Sequence, residues 1–210
     1  MASWEKGKFK TQGEEKAALV ALRKVRGKDV KKMLAEKDKG GVLAKSEANI
    51  FAEVGADLSQ VSILARREIE ARILMPVLNA FIKEHGKDQT VKLVDPVIQE
   101  LAREGGVQLA KALGGNTIAH FAKGLSLWTR EDALRLDVME QTEKTFAFNV
   151  TRCRYAEMYK ELGVQEYGSL LSCGRDAALI VGFNPKIKFT RTQTIMSGAP
   201  YCDFRYELMG

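Results

Sequence analysis

The stretch FTRTQTIMSGAPYCDFRY, residues 189–206, reads as two extended runs around a Ser-Gly-Ala-Pro turn. Residues 187–196 and 200–208 are therefore expected to form an antiparallel hairpin at the end of the chain. One run carries Arg191, Thr192, Gln193 and Thr194; the other carries Cys202, Asp203 and Arg205. Charged groups brought near a core need partners. A small anionic ligand with a polar ring would supply them.

Working outward from this hairpin, the period of two returns in residues 133–139 and 145–151, with Gln141, Thr142, Glu143 and Lys144 between them. That pattern predicts a second hairpin. Residues 154–162 predict a short helix ended by Gly163. Residues 167–181 predict another, stopped by Gly182 and the Asn184-Pro185 turn. Upstream the chain is helical. Ser46 is a candidate N-cap, and from Ile50 the apolar positions Val54, Leu58, Val61, Leu64, Ala65, Ile69, Ile73 and Val77 recur at helical spacing. Pro76 is expected to kink or break that helix. A second long helix over residues 88–113 holds Pro96, is weakened at Gly105-Gly106 and closes at Gly114-Gly115. A short amphipathic piece over 117–127 follows. Helices, a hairpin, two helices and a final hairpin imply an α+β domain. Its helical N-terminal region would pack on an antiparallel sheet of roughly four strands.

The net charge of +6 is confined to one region. Residues 1–47 hold 13 basic and 7 acidic residues, which accounts for the whole surplus. Residues 1–45 are thus expected to be a basic arm with a helix, and residues 46–210 a single domain. A neutral body argues against a nucleic-acid groove. Hydrophobic content of 45% and charged content of 29% are ordinary for a globular chain. No run reaches the roughly 18 apolar residues of a membrane span. The first residues lack the apolar core of a secretory leader. The three cysteines, Cys153, Cys173 and Cys202, do not form a close-spaced framework. The expected setting is the cytoplasm, with reduced thiols, no membrane partner and room for a homo-oligomer.

Cys173 and Asp176 are three apart on the helix predicted over 167–181, so thiol and carboxylate share a face. Asp176 alone would raise the thiol pKa; Arg175, Arg191 or Arg205 could offset it. In the last strand, alternation puts Asp203 and Arg205 on one face and Cys202 on the other. Each feature also has a plain structural reading, as a small buried cysteine, a surface charge or an exposed ion pair. His85, before Gly86, suits a helix C-terminus. His120, on the amphipathic piece, is either structural or a pocket residue. Zinc-site spacings, a Gly-rich phosphate loop and a nucleophile elbow are all missing from the sequence. No metal and no cofactor are implied.

The chain resembles the L-2-amino-thiazoline-4-carboxylic acid hydrolase family. The resemblance is carried by Cys153-Arg154-Tyr155, Leu162-Gly163, Cys173-Gly174-Arg175-Asp176, Gly182-Phe183-Asn184-Pro185, Arg191-Thr192-Gln193-Thr194, Gly198 and Cys202-Asp203-Phe204-Arg205-Tyr206. It is strong over 145–208 and looser near Arg66-Arg67-Glu68. It implies hydrolytic opening of a small five-membered ring such as a 2-aminothiazoline carboxylate. Cyclic ureas and lactam-like rings stay open as alternatives.

Chemistry then assigns roles. Cys173 is the expected nucleophile with Asp176 as acid/base, Cys202 the alternative nucleophile, and Asp203 a second carboxylate for the ring nitrogens or for water activation. Arg205 or Arg191 would hold the substrate carboxylate. Thr192, Gln193, Thr194 and His120 complete the expected binding set. The competing reading is a non-catalytic module that binds a small ligand, a metal or haem.

Overall fold

The structure is a computed structural model, and it describes residues 60–210. Two long helices open it. Helix α1 (Ile63–His85) starts where the Ser62 hydroxyl accepts the Ala65 amide, and it continues through Pro76. Its expected beginnings at Ser46 and Ile50 lie outside the described residues. The apolar row read from the sequence meets the core only in part. Leu64, Ala71, Met75 and Leu78 face the core, whereas Ile69, Ile73 and Val77 face outward, Ile73 with 67% of its surface exposed. Both rows have helical spacing, and periodicity cannot say which of two apolar rows meets the core.

Helix α2 (Lys87–Leu113) follows Gly86 and closes at Gly114, with Pro96 inside it. Gly106 does more than weaken its middle. A Cβ there would sit 2.0 Å from the Leu179 carbonyl oxygen. Reciprocally, a Cβ on Gly182 would sit 1.8 Å from that of Arg103. The two glycines let α2 and α6 (Arg175–Phe183) cross backbone to backbone. Gly182 therefore lies inside α6 instead of stopping it. Between α2 and the sheet come α3 (Ile118–Gly124), capped by the Thr117 hydroxyl, and the single turn α4 (Ser126–Thr129).

Strands β1 (Leu134–Gln141) and β2 (Thr145–Cys153) form the first hairpin as expected. Helix α5 (Arg154–Glu161) then buries Tyr155, Ala156, Met158 and Tyr159. Strands β3 (Ile187–Thr190) and β4 (Cys202–Leu208) complete an antiparallel sheet in the order β1-β2-β4-β3. Helices packed with a four-stranded antiparallel sheet make this an α+β fold. Phe148 opposes Phe204 and Val150 opposes Cys202, which places the first hairpin against the last strand. The inner face is aromatic. Phe148 and Phe204 stack with centroids 5.0 Å apart, and Phe121 from α3 reaches Tyr206 at 4.8 Å. Among the described residues no helix is long and apolar enough to cross a membrane.

Two segments depart from the expected regularity, and both border the site. The helix expected over 167–181 is a 3-10 turn (Gln165–Tyr167), a π-helical turn (Ser169–Cys173) and then α6. The final hairpin is also shorter than expected, because the chain leaves the sheet after Thr190. Side chains of β4 take the amides that a ladder would have used. The Asp203 carboxylate accepts the Thr192 and Gln193 amides at 3.0 and 2.8 Å, and the Cys202 thiol accepts the Ile195 amide at 3.2 Å. These bonds satisfy the backbone without a strand.

Candidate active site

The shape of the site follows from those two irregular segments. The π-helical turn delivers Cys173 and the first turn of α6 delivers Asp176, both to one partly open cavity of ≈ 70 Å³. Single-turn π-helical insertions frequently sit at functional sites. The opposite wall comes from the sheet through Val150, Cys153, Cys202 and Phe204, and α1 contributes Ile63 and Arg67. All three cysteines thus meet at one cavity, although they are far apart in sequence. A second cavity of ≈ 50 Å³ adjoins the first and shares Trp128, Leu134, Asp176, Leu179 and Phe204 with it. Its remaining lining is Phe121, Leu125, Phe148 and Tyr206. The space therefore grades from a polar end to an aromatic end, with Asp176 between them. Each part is smaller than the roughly 150 Å³ that holds a benzene ring.

Among the described residues Asp176 is held by one side-chain partner, the Arg191 guanidinium, in a close ion pair. Arg191 also donates to the Cys173 carbonyl at 2.9 Å and lies over the Phe204 ring at 5.1 Å. Its side chain keeps only 13% of its surface, while Asp176 keeps 30% and lines both cavities. Burial pushes the Asp176 carboxyl up, against the pull of Arg191. The Cys173 thiol is pushed up to about 12, first by burial and then by the Asp176 charge, with Arg191 opposing. Burial likewise lifts Cys153 to about 11 and raises Cys202. At neutral pH the site holds thiols and not thiolates.

At the far side of the polar end, Arg67 and Arg175 share one carboxylate. Arg67 meets both oxygens of Glu70 at 2.6 and 2.8 Å, and Arg175 meets one at 2.9 Å. Two guanidiniums against one carboxylate leave a net positive charge at this end. Tyr155 lines the same cavity, is 5% exposed, and has a buried hydroxyl with no hydrogen-bond partner among the described residues. The buried Arg175 Nε is also unpartnered there.

Of the residues singled out in the sequence, Cys173, Asp176, Cys202 and Arg191 line the cavity. Asp203 does not. It is an acceptor for the loop, taking the Thr192 hydroxyl at 2.7 Å as well as the two amides. Burial works against its charge, but the Thr192 and Gln193 donors outweigh it and hold the carboxyl below its ordinary range. Arg205 also lies outside the cavity lining and donates to the Phe148 and Phe204 carbonyls and to Asn149 Oδ1 at 2.8–2.9 Å. Thr192, Gln193 and Thr194 border a separate open cleft with Arg191. The Thr194 hydroxyl caps the 3-10 turn Ile195–Ser197, and the Gln193 amide reaches the Tyr201 carbonyl at 3.0 Å. His120 Nδ1 meets the Thr117 hydroxyl at 2.7 Å at the start of α3. Among the described residues, no three His, Cys, Asp or Glu side chains are grouped to hold a metal ion.

Arg67, Tyr155, Cys153 and Trp128 were not among the expected site residues. Three of them stand inside matched motifs, Arg67 in Arg66-Arg67-Glu68 and Cys153 and Tyr155 in Cys153-Arg154-Tyr155. Their presence there was the available signal.

The family model for L-2-amino-thiazoline-4-carboxylic acid hydrolase matches residues 66–206, and the chain belongs to that family. No curated protein sequence matches it. Solved structures match the chain at low identity, among them these two. One is a trafficking protein particle complex subunit 3 from Naegleria fowleri covalently bound to palmitic acid, with 10% identity and TM-score 0.42, covering 69% of this chain and 96% of that one. The other is the phenol-responsive sensory domain of the transcription activator PoxR with phenol, with 13% identity and TM-score 0.41, covering 74% of this chain and 76% of that one.

Proposed function

We propose that the chain, as a member of this family, is a hydrolase that opens a small five-membered cyclic amidine of the 2-aminothiazoline-carboxylate kind. One observation carries the reading: a thiol and a carboxylate three residues apart, Cys173 and Asp176, line the same cavity. Among the described residues Asp176 has one side-chain partner and cavity space beside it, which suits pairing with an amidinium ring.

The chemistry runs in two steps. The Cys173 thiol passes its proton to the Asp176 carboxylate as sulfur bonds to the amidine carbon, and the C=N electrons move to nitrogen. The tetrahedral centre collapses, and the departing ring heteroatom takes the proton from Asp176. Water, deprotonated by Asp176, then adds to the sulfur-bound carbon and releases the thiol. The net change is one water gained. Arg191 keeps Asp176 oriented throughout.

A second route needs no sulfur. A pKa of about 12 makes thiolate scarce at neutral pH, and each unit above pH 7 costs about 1.4 kcal/mol. In the second route Asp176 takes a proton from water as the water attacks the amidine carbon, in place of the thiol. Cyclic amidines, hydantoins and small lactams, assayed by mass spectrometry for gain of one water, test the function. Absence of turnover on every ring would sink it. Cys173→Ala separates the routes: loss by orders of magnitude supports sulfur attack, whereas a near-normal kcat assigns the chemistry to Asp176 and water.

A further inference from the structure

We infer that Arg67, Arg175 and the Tyr155 hydroxyl form a carboxylate-binding subsite at the polar end of the cavity. The inference deepens the hydrolase reading by naming the substrate's anchor, and it rests on that reading only for the identity of the reacting ring.

Three observations converge. The first is charge. Glu70 neutralises one of the two guanidiniums and leaves one positive charge facing the cavity. A buried surplus cation calls for an anion. Arg191, the other arginine of the cavity, is already matched by Asp176 and adds no surplus. The second is unspent donors. The Tyr155 hydroxyl and Arg175 Nε are both buried and unpartnered among the described residues. Buried polar atoms without partners are uncommon and require an explanation. A carboxylate brings two oxygens with about four acceptor sites, which matches a phenol and an arginine fork. The third is position. Cys173 and Asp176 line the same cavity between this end and the aromatic end. A ring anchored by its carboxylate at Arg67 and Arg175 would lie beside Cys173 and Asp176, with its apolar edge toward Trp128, Leu179 and Phe204.

The test uses thiazole-4-carboxylate and thiazole-4-carboxamide as probes, titrated calorimetrically into the full-length protein. The wild type is expected to bind the carboxylate at least about tenfold more tightly, the usual scale of a charge-assisted contact. Tyr155→Phe removes one oxygen and keeps the packing, and it should reduce that preference several-fold. Arg175→Lys, or Arg67→Lys if the first fails to fold, should reduce it too, because a point charge does not reproduce the fork. Arg205→Ala should leave it intact. The inference is overturned if the wild type binds neither probe or shows no preference. It is also overturned if the preference survives in folded Tyr155→Phe. Failure of the hydrolase reading looks different: the preference would be present and responsive to these variants, with no ring opened.

Discussion

Residues 173–176 and 202–205 carry nearly the same chemistry. Each holds a cysteine, an aspartate and an arginine within four positions. Their fates differ because their surroundings supply different numbers of donors. Asp203 collects two amides and a hydroxyl from the loop at Thr192 and Gln193, and its carboxyl is held low. Asp176 collects one guanidinium and opens onto a cavity, and burial holds its carboxyl high. The arginines divide in the same way. Arg205 spends its donors on Phe148, Phe204 and Asn149, whereas Arg175 keeps one unspent. Residue type nominates a reactive group, but the count of local partners decides whether it is free to react.

The strongest way to break this comparison is to remove both carboxylates in turn. Asp176→Asn is expected to lower kcat by about 100- to 10,000-fold, the range for a lost acid/base group. Asp203→Ala should leave kcat within a few-fold. It should instead destabilise the fold by about 1–3 kcal/mol, as three donors lose their acceptor. Steady-state kinetics and thermal melts on both variants check the contrast, and an exchange of the two phenotypes would refute it.

The next test is a pH titration of the thiols. Burial and the Asp176 charge both disfavour the thiolate of Cys173, so the group deprotonates near 12 and not at its ordinary 9.0. Alkylation of Cys173 by iodoacetamide at pH 8 should then run about 1,000-fold slower than for a free thiol, rising about tenfold per pH unit. Asp176→Asn removes one of the two causes and should speed the reaction at fixed pH. Peptide mapping by mass spectrometry assigns the modified residue. A rate that levels off near pH 9 would show that the cavity does not suppress the thiolate.

The smallest expected effect belongs to His120. Its ring is engaged with Thr117 at the start of α3 and lines neither cavity. His120→Ala should change kcat/KM by less than about twofold, as for substitutions away from the special features of a fold. A larger loss would extend the functional surface beyond these two cavities.

Much of this arrangement was legible in the sequence. Hairpins announce themselves by alternation, so β1 and β2 fell where expected. The i, i+3 spacing of Cys173 and Asp176 placed them on one wall. What alternation cannot carry is the pairing between hairpins. The register of Val150 against Cys202 is a long-range choice made by the aromatic core. Without it, the meeting of three distant cysteines is invisible. The last hairpin misled for a local reason: residues 191–195 have strand-like composition, but Asp203 and Cys202 take their amides. Arg205 stands in the regular part of β4, opposite Ala147 and Thr190, and there it donates to the Phe148 and Phe204 carbonyls. Helix α1 hid its phase because it carries two apolar rows.

The crossing of Gly106 and Gly182 has a mechanical meaning. Helix α6 is clamped to α2 six residues beyond Asp176, about 9 Å along its axis. The carboxylate therefore stands on a fixed post, and a ligand too large for the resting cavity must be admitted by the other walls. The clamp also makes the site fragile from a distance. A methyl group at Gly182 would meet the Arg103 carbonyl oxygen at 1.8 Å and force the two helices apart by about an ångström. Misplacement on that scale costs about 100-fold in rate when it reaches reacting groups. One of the least reactive residues in the chain thus holds the alignment of one of the most reactive.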